Sequence, residues 1–247
     1  MAEDEPQDEQ APEPEPAAEG AGEAPPPPPG PPPGAAGGPK PEVGAYISKG
    51  WEIVKADPVL FILGYLVLAT IAGFTMGLLA GPVMFGFFRV AQKRLKGEAA
   101  EFGDLFSGFK EFGRSFVTGL LVFAVCFAVA IVLIVIMIIL SFIPCIGQVL
   151  SMLLYIAAWL FLGPALFFVF PIAALSETQP VDCLKQSFAF FKANLWPMVL
   201  LSLVLGLVAS LGSVACCIGI YVTTPIAMVA MVVAYNEYYL PNAPQAG

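Results

Sequence analysis

Along most of this chain polar positions are absent rather than alternating with apolar ones. Three stretches carry no charged residue: 58–88, 115–176 and 193–236, of 31, 62 and 44 residues. A helix crosses the hydrocarbon core of a bilayer with about 20 apolar residues. The second and third stretches therefore each predict a pair of membrane helices. Their turns fall at 141–147 and 216–219, where Gly and Pro interrupt the apolar run. The first stretch admits two readings. One is a single long span followed by a surface helix. The other is a short hairpin, 58–75 then 77–95, with Arg89 snorkelling to the headgroups.

Ahead of each stretch the pattern turns amphipathic. Ile47, Trp51 and Val54 follow i, i+4, i+7 spacing, as do Leu105, Phe109 and Phe112, and Leu184, Phe188 and Phe191. Lys, Glu or Asp occupies the opposite face in each case, which predicts three helices lying in the membrane interface. The units repeat. Residues 48–57 (SKGWEIVKAD) resemble 185–194 (KQSFAFFKAN) at an offset of 137, so that Trp51 matches Phe188, Lys55 matches Lys192 and Asp57 matches Asn194. Each unit places a proline in or near its second span, at Pro82, Pro164 and Pro225. Two ridges of small residues recur at i, i+4: Ala69, Gly73, Gly77 and Gly81, and Ser202, Gly206 and Ser210. Such ridges let helix backbones approach closely in lipid, and they predict packing of these two spans against each other.

Charge selects among the topologies. Under the hairpin reading there are six spans, and all eight lysines and three arginines fall on one side. The positive-inside rule makes that side cytoplasmic, with both termini there. The expected architecture is an all-α integral membrane protein of six spans in three hairpins, each preceded by an interfacial amphipathic helix. Composition agrees: 58% of the residues are hydrophobic and 12% charged, with a mean hydropathy of +0.81. Ordinary soluble domains are about 25% charged. The net charge of −8 belongs to a tail. Residues 1–44 hold ten acids, one base, 14 of the 24 prolines and no aromatic residue, and are expected to be disordered. Met1 is followed by neither a basic nor an apolar region, so no cleaved secretory signal is expected. Residues 45–240 form the membrane domain, and 241–247 a short C-terminal tail.

With the repeat units in hand, a family likeness emerges. Arg94-Leu-Lys-Gly-Glu98 followed by Asp104-Leu-Phe-Ser-Gly-Phe109, and Cys183-Leu-Lys-Gln-Ser187 followed by Lys192-Ala-Asn194, resemble two signatures of a broad set of uncharacterised prokaryotic multi-pass proteins. That set includes the membrane domain attached to some glycerophosphoryl diester phosphodiesterases. The likeness covers roughly 45–240 and implies six helical spans. In those phosphodiesterases a separate domain resembling a TIM barrel does the chemistry. About seven residues follow the last span here, so no catalytic residue carries over.

The candidate chemistry is sparse. Histidine is absent, which removes His general bases and His metal ligands. No nucleophile elbow, phosphate loop or intramembrane carboxylate pair is present. The chain is expected to be no enzyme, to need no cofactor or metal, and to bind no nucleic acid. No ionisable group lies deep in a predicted span, which disfavours proton coupling. Arg89 reads as a snorkelling anchor before a substrate contact, and Glu237 as an interfacial anchor among Tyr235, Tyr238 and Tyr239. The prolines read first as kinks, and second as sites that free backbone carbonyls for a ligand. Cys145, Cys216 and Cys217 lie in the two uncharged turns, where an oxidising compartment permits a disulfide; their bland role is small apolar turn residues.

Three functions remain in view. The first expectation is a non-enzymatic cell-membrane protein that organises or assists envelope components. The second is a translocator of lipid or small apolar solutes. The third is an interaction platform working through the tail, whose Pro-rich and acidic segments suit a protein partner. The bilayer is the expected partner in all three.

Overall fold

The computed structural model describes residues 40–143, 146–214 and 219–243, all helical or connecting, with no strand among them. The expected tail falls almost wholly outside the described residues, as do Cys145, Cys216 and Cys217. Its boundary moves by two residues, because the first helix, α1, already begins at Val43 (Val43–Ala56).

Nine further helices follow α1 among the described residues. Pro58 cannot continue α1, and the chain bends by 97° into α2, Val59–Phe74, whose first turn is π-helical. Next come α3 (Ala80–Leu95), a 3₁₀ segment at Phe102–Phe109, and α4 (Phe112–Ser141). Then follow α5 (Ile146–Leu166), α6 (Val169–Leu175), α7 (Pro180–Ala193) and α8 (Leu195–Val214). Helix α9 (Ile220–Ala234) runs through a π-helical turn, Tyr235–Tyr239, into the short α10, Leu240–Asn242. Among the described residues four helical stretches are long and apolar enough to cross a membrane: Phe112–Ser141, Ile146–Leu175, Leu195–Gly212 and Ile220–Asn242; a fifth is added if α1 and α2 count as one broken span. The chain is thus a helical membrane protein. The pair expected at 58–75 and 77–95 does form, as α2 and α3, but α3 has only 16 residues and α2 is no longer.

The expected apolar stripes are buried only in part: Leu105 of the middle element is fully buried, and Val54 and Phe191 at the ends of the other two are buried as well. Trp51 and Phe188 are 47% and 46% exposed. The buried face of α1 is Tyr46, Gly50 and Val54, and that of α7 includes Cys183, Ser187 and Phe191. These are the same positions at the offset of 137, and each face shares its last residue, Val54 or Phe191, with the expected stripe. The reason is close approach. A Cβ on Gly50 would lie 2.9 Å from the Ile226 carbonyl oxygen, and one on Gly108 would lie 2.0 Å from that of Pro82. Ser187 Oγ donates to the Ala165 carbonyl at 2.8 Å. Each surface element therefore docks beside a proline of the preceding unit, at Pro82 and Pro164. The first unit docks on the last, beside Pro225, and so closes the three units into a ring. The middle element is 3₁₀ rather than α-helical, started by a capping box between Glu101 and Asp104.

The small-residue ridges are corrected. Gly73 and Gly77 have open space within the chain where a Cβ would stand, and Gly77 sits in a turn at φ +82°. The close approach falls on Gly81, which packs on Ser115 and Gly119 of α4. Gly206 also has open space. The reason lies in the neighbours: α3 runs beside α4, while the α8 ridge faces a groove rather than α2.

Candidate functional site

The last two turns of α3 hold the molecule's polar layer together. Arg89 reaches three elements: Nε donates to the Ala174 carbonyl at 3.1 Å, Nη1 to that of Ser107 at 3.4 Å, and Nη2 to Glu111 Oε1 at 2.6 Å. The other Glu111 oxygen takes Arg114 Nη2 at 2.7 Å, while Arg114 Nη1 donates to the Ser176 carbonyl at 2.9 Å. Both guanidinium groups lie within 6 Å of the Phe85 ring, at 5.9 and 5.8 Å. Two cations thus cap the carbonyl end of α6, where the helix dipole is negative. Arg89 is a three-way clasp, more than a free anchor. Further along α3, Lys93 pairs with Asp104 at 2.9 Å and Arg94 pairs with Asp57. The Glu101 amide and Lys93 hold the Asp104 carboxyl below its ordinary range. Glu237 pairs with Lys49, and its hydrogen bond raises the Lys49 ammonium above its ordinary value. Burial pushes the Cys183 thiol up to about 11.

Gln92 and Asn236 make a reciprocal amide pair, with donor–acceptor distances of 2.9 and 2.7 Å, and tie α3 to the last helix. Removing one member alone costs the half-buried other its partner, about 1 kcal/mol, whereas replacing both with apolar residues is close to neutral. Thermal midpoints of Gln92→Leu, Asn236→Leu and the double variant are expected to show this non-additivity. Equal losses that simply sum would remove the pair from the account.

Beside the layer lies a groove of about 720 Å³, formed by α5, α8 and α9. Its walls are Tyr155, Trp159, Gly163, Pro164 and Phe167 on one side, Ser202, Gly206 and Ser210 on the second, and Thr224, Met228 and Met231 on the third. Small residues make it. A Cβ on Gly163 or Gly206 would touch nothing within 4 Å. The hydroxyls of Ser202 and Ser210 bond back to the carbonyls of Val199 and Leu207, leaving an almost wholly apolar surface. At Pro164 the helix loses a backbone donor, and it breaks at Phe167 and Phe168 before α6 resumes. Ser187 satisfies the Ala165 carbonyl at this break. The groove takes in one sequence candidate, Pro164, directly. Pro225 is buried next to its wall residue Thr224, whereas Pro82, Arg89 and Glu237 belong to the docking ring and the polar layer. Gly163, Ser187 and the Gln92–Asn236 pair were not among the sequence candidates; of these, only Ser187 carried a signal, as the repeat partner of Gly50. No protein-family model, curated protein or solved structure matches this chain.

Proposed function

We propose that this is a non-enzymatic membrane protein that handles lipid, accepting an acyl chain in the groove between α5, α8 and α9. The groove itself carries the reading. It is apolar, it lies between helices long enough to cross the bilayer, and its size is that of a ligand site. This favours the translocator alternative over the organising one. Part of the motive for the latter also weakens, since Tyr46, Phe190 and Phe191 of the surface helices are buried within the chain. The polar layer gathers Lys49, Arg89, Lys93, Arg94 and Arg114, which supports a cytoplasmic position for that layer in a cell membrane, with both ends of the helical region beside it. That orientation holds whether or not the α2–α3 pair crosses.

Open space at Gly206 permits a decisive variant. Gly206→Trp sets a bulky side chain on the groove wall at a position where a Cβ meets nothing, and Gly73→Trp serves as a control on an outward face. In vesicles, a phospholipid with a photoreactive acyl chain is expected to label 155–167 and 202–210 in the parent protein. The yield should fall about tenfold in Gly206→Trp, the factor that a 1.4 kcal/mol loss of affinity gives. Inter-leaflet movement of a labelled lipid should fall with it. Equal labelling in Gly206→Trp and the parent overturns the proposal.

A further inference from the structure

We infer that the α2–α3 hairpin is re-entrant: it enters the bilayer from the polar layer, turns at residues 75–79 among the lipid tails, and returns to the same side. This inference is independent of the groove reading.

Depth is the first argument. Gly81, in the first turn of α3, packs on α4 so tightly that a Cβ would lie 2.0 Å from the Ser115 carbonyl oxygen and 3.2 Å from the Gly119 Cα. The tip of the hairpin is therefore level with the second turn or so of α4. From Gly119, α4 runs on for 22 residues to Ser141, about 33 Å at helical rise. The hydrocarbon core is only about 30 Å thick. If the turn had crossed to the far surface, α4 and α5 would project a further core's thickness into water. No charged residue lies anywhere in 115–176 to solvate them. From the other direction, Gly81 is eight residues from Arg89, about 12 Å below the polar layer. Both estimates place the turn well short of the far surface, in the leaflet next to the polar layer.

The turn's own chemistry is the second argument. Backbone in hydrocarbon must satisfy its donors internally, since no water is there to do so. Every N–H from Thr75 to Ala80 has an internal acceptor. Thr75, Met76 and Gly77 donate to Ile71, Gly73 and Ala72 at 3.1, 3.0 and 2.7 Å. Leu78 and Ala80 donate to Thr75 and Gly77, each at 3.0 Å. Leu79 donates to Thr75 Oγ1 at 3.3 Å, and that hydroxyl in turn donates to Ile71 at 2.9 Å. Left-handed backbone at Met76 (φ 52°) and Gly77 (φ 82°) closes the loop this tightly. A turn in water has no need of such closure and usually carries polar or small residues, Gly, Asn, Asp, Ser or Pro; of these this turn has only Gly77. This one presents Phe74 and Met76, each 92% exposed, and Leu78. The side chains are themselves apolar, and the occupant that fits is the acyl-chain region of the bilayer. The hairpin is thus a wedge in one leaflet, and the chain makes four crossings plus this wedge.

The test uses the full chain with its five cysteines replaced by serine or alanine and one cysteine introduced at a chosen position. Glu98→Cys reports the polar-layer side and Phe142→Cys the far end of α4. With a membrane-impermeant maleimide on sealed vesicles, these two should label from opposite sides. Met76→Cys should label at least 100-fold more slowly from either side. A nitroxide attached to the new thiol of Met76→Cys before reconstitution should then be relaxed by oxygen and not by a water-soluble nickel chelate. Labelling of Met76→Cys from the Phe142 side at the Phe142→Cys rate would show a full crossing. Fast labelling from the Glu98 side would show a surface turn. Either overturns the inference.

Discussion

Gly86→Val is expected to abolish the folded state, or to cost about 3 kcal/mol or more if the chain folds at all. A Cβ at Gly86 would stand 1.6 Å from the carbonyl oxygen of Leu105, and Leu105 is fully buried. No flexible side chain gives way there; the backbone of the 3₁₀ segment must lift off α3. That lift also pulls Gly108 away from the Pro82 carbonyl and opens the docking ring at its middle member. The comparison is Gly73→Ala. Gly73 is helical with open space around it, so alanine should be neutral or stabilise by up to about 1 kcal/mol. Size-exclusion profiles and thermal midpoints in detergent read both variants. A monodisperse Gly86→Val with the parental midpoint would refute the docking geometry.

Arg89→Ala is expected to lower stability by about 2–3 kcal/mol, and Arg89→Lys to recover less than half of that loss. The guanidinium serves two carbonyls and Glu111 at once and lies beside Phe85. A lysine ammonium is a single point and cannot span the carbonyls of Ala174 and Ser107 together with the carboxylate. Loss of the guanidinium also leaves Glu111 with one cation in place of two. Thermal midpoints at low and moderate salt decide the matter. The side chain is 23% exposed, so the effect should shrink only modestly as salt rises. Full recovery with lysine would restore the plain snorkelling anchor as the better description.

These two residues show how unevenly the fold was legible. Helix positions read well, because a charge-free run of membrane length has few other meanings. Expected legs at 58–75 and 77–95 correspond to Val59–Phe74 and Ala80–Leu95. The gathering of basic residues also read well, since Lys and Arg are excluded from lipid wherever they fall in the chain. Burial did not. In water an apolar stripe marks the core, but in a bilayer it marks contact with lipid equally well. Trp51 and Phe188 point outward for that reason, while Val54 and Phe191 of the same stripes are buried, and the docked faces centre on Gly50 and Ser187. Spacing showed which glycines align, yet Gly73 meets nothing and Gly81 meets α4, a difference set by a neighbour distant in sequence.

By itself, then, the sequence determined that the chain is helical, that several of its helices are apolar enough to cross a membrane, and where those helices lie. Those properties follow from the cost of placing charge or open backbone in hydrocarbon, a cost that acts residue by residue along the chain. Tertiary structure alone decided the three-way clasp of Arg89, the ring of surface elements on prolines, the groove beside Pro164 and the packing of Gly81 on α4. Each depends on which backbone approaches which, and close approach is a property of two surfaces that no single stretch of sequence carries.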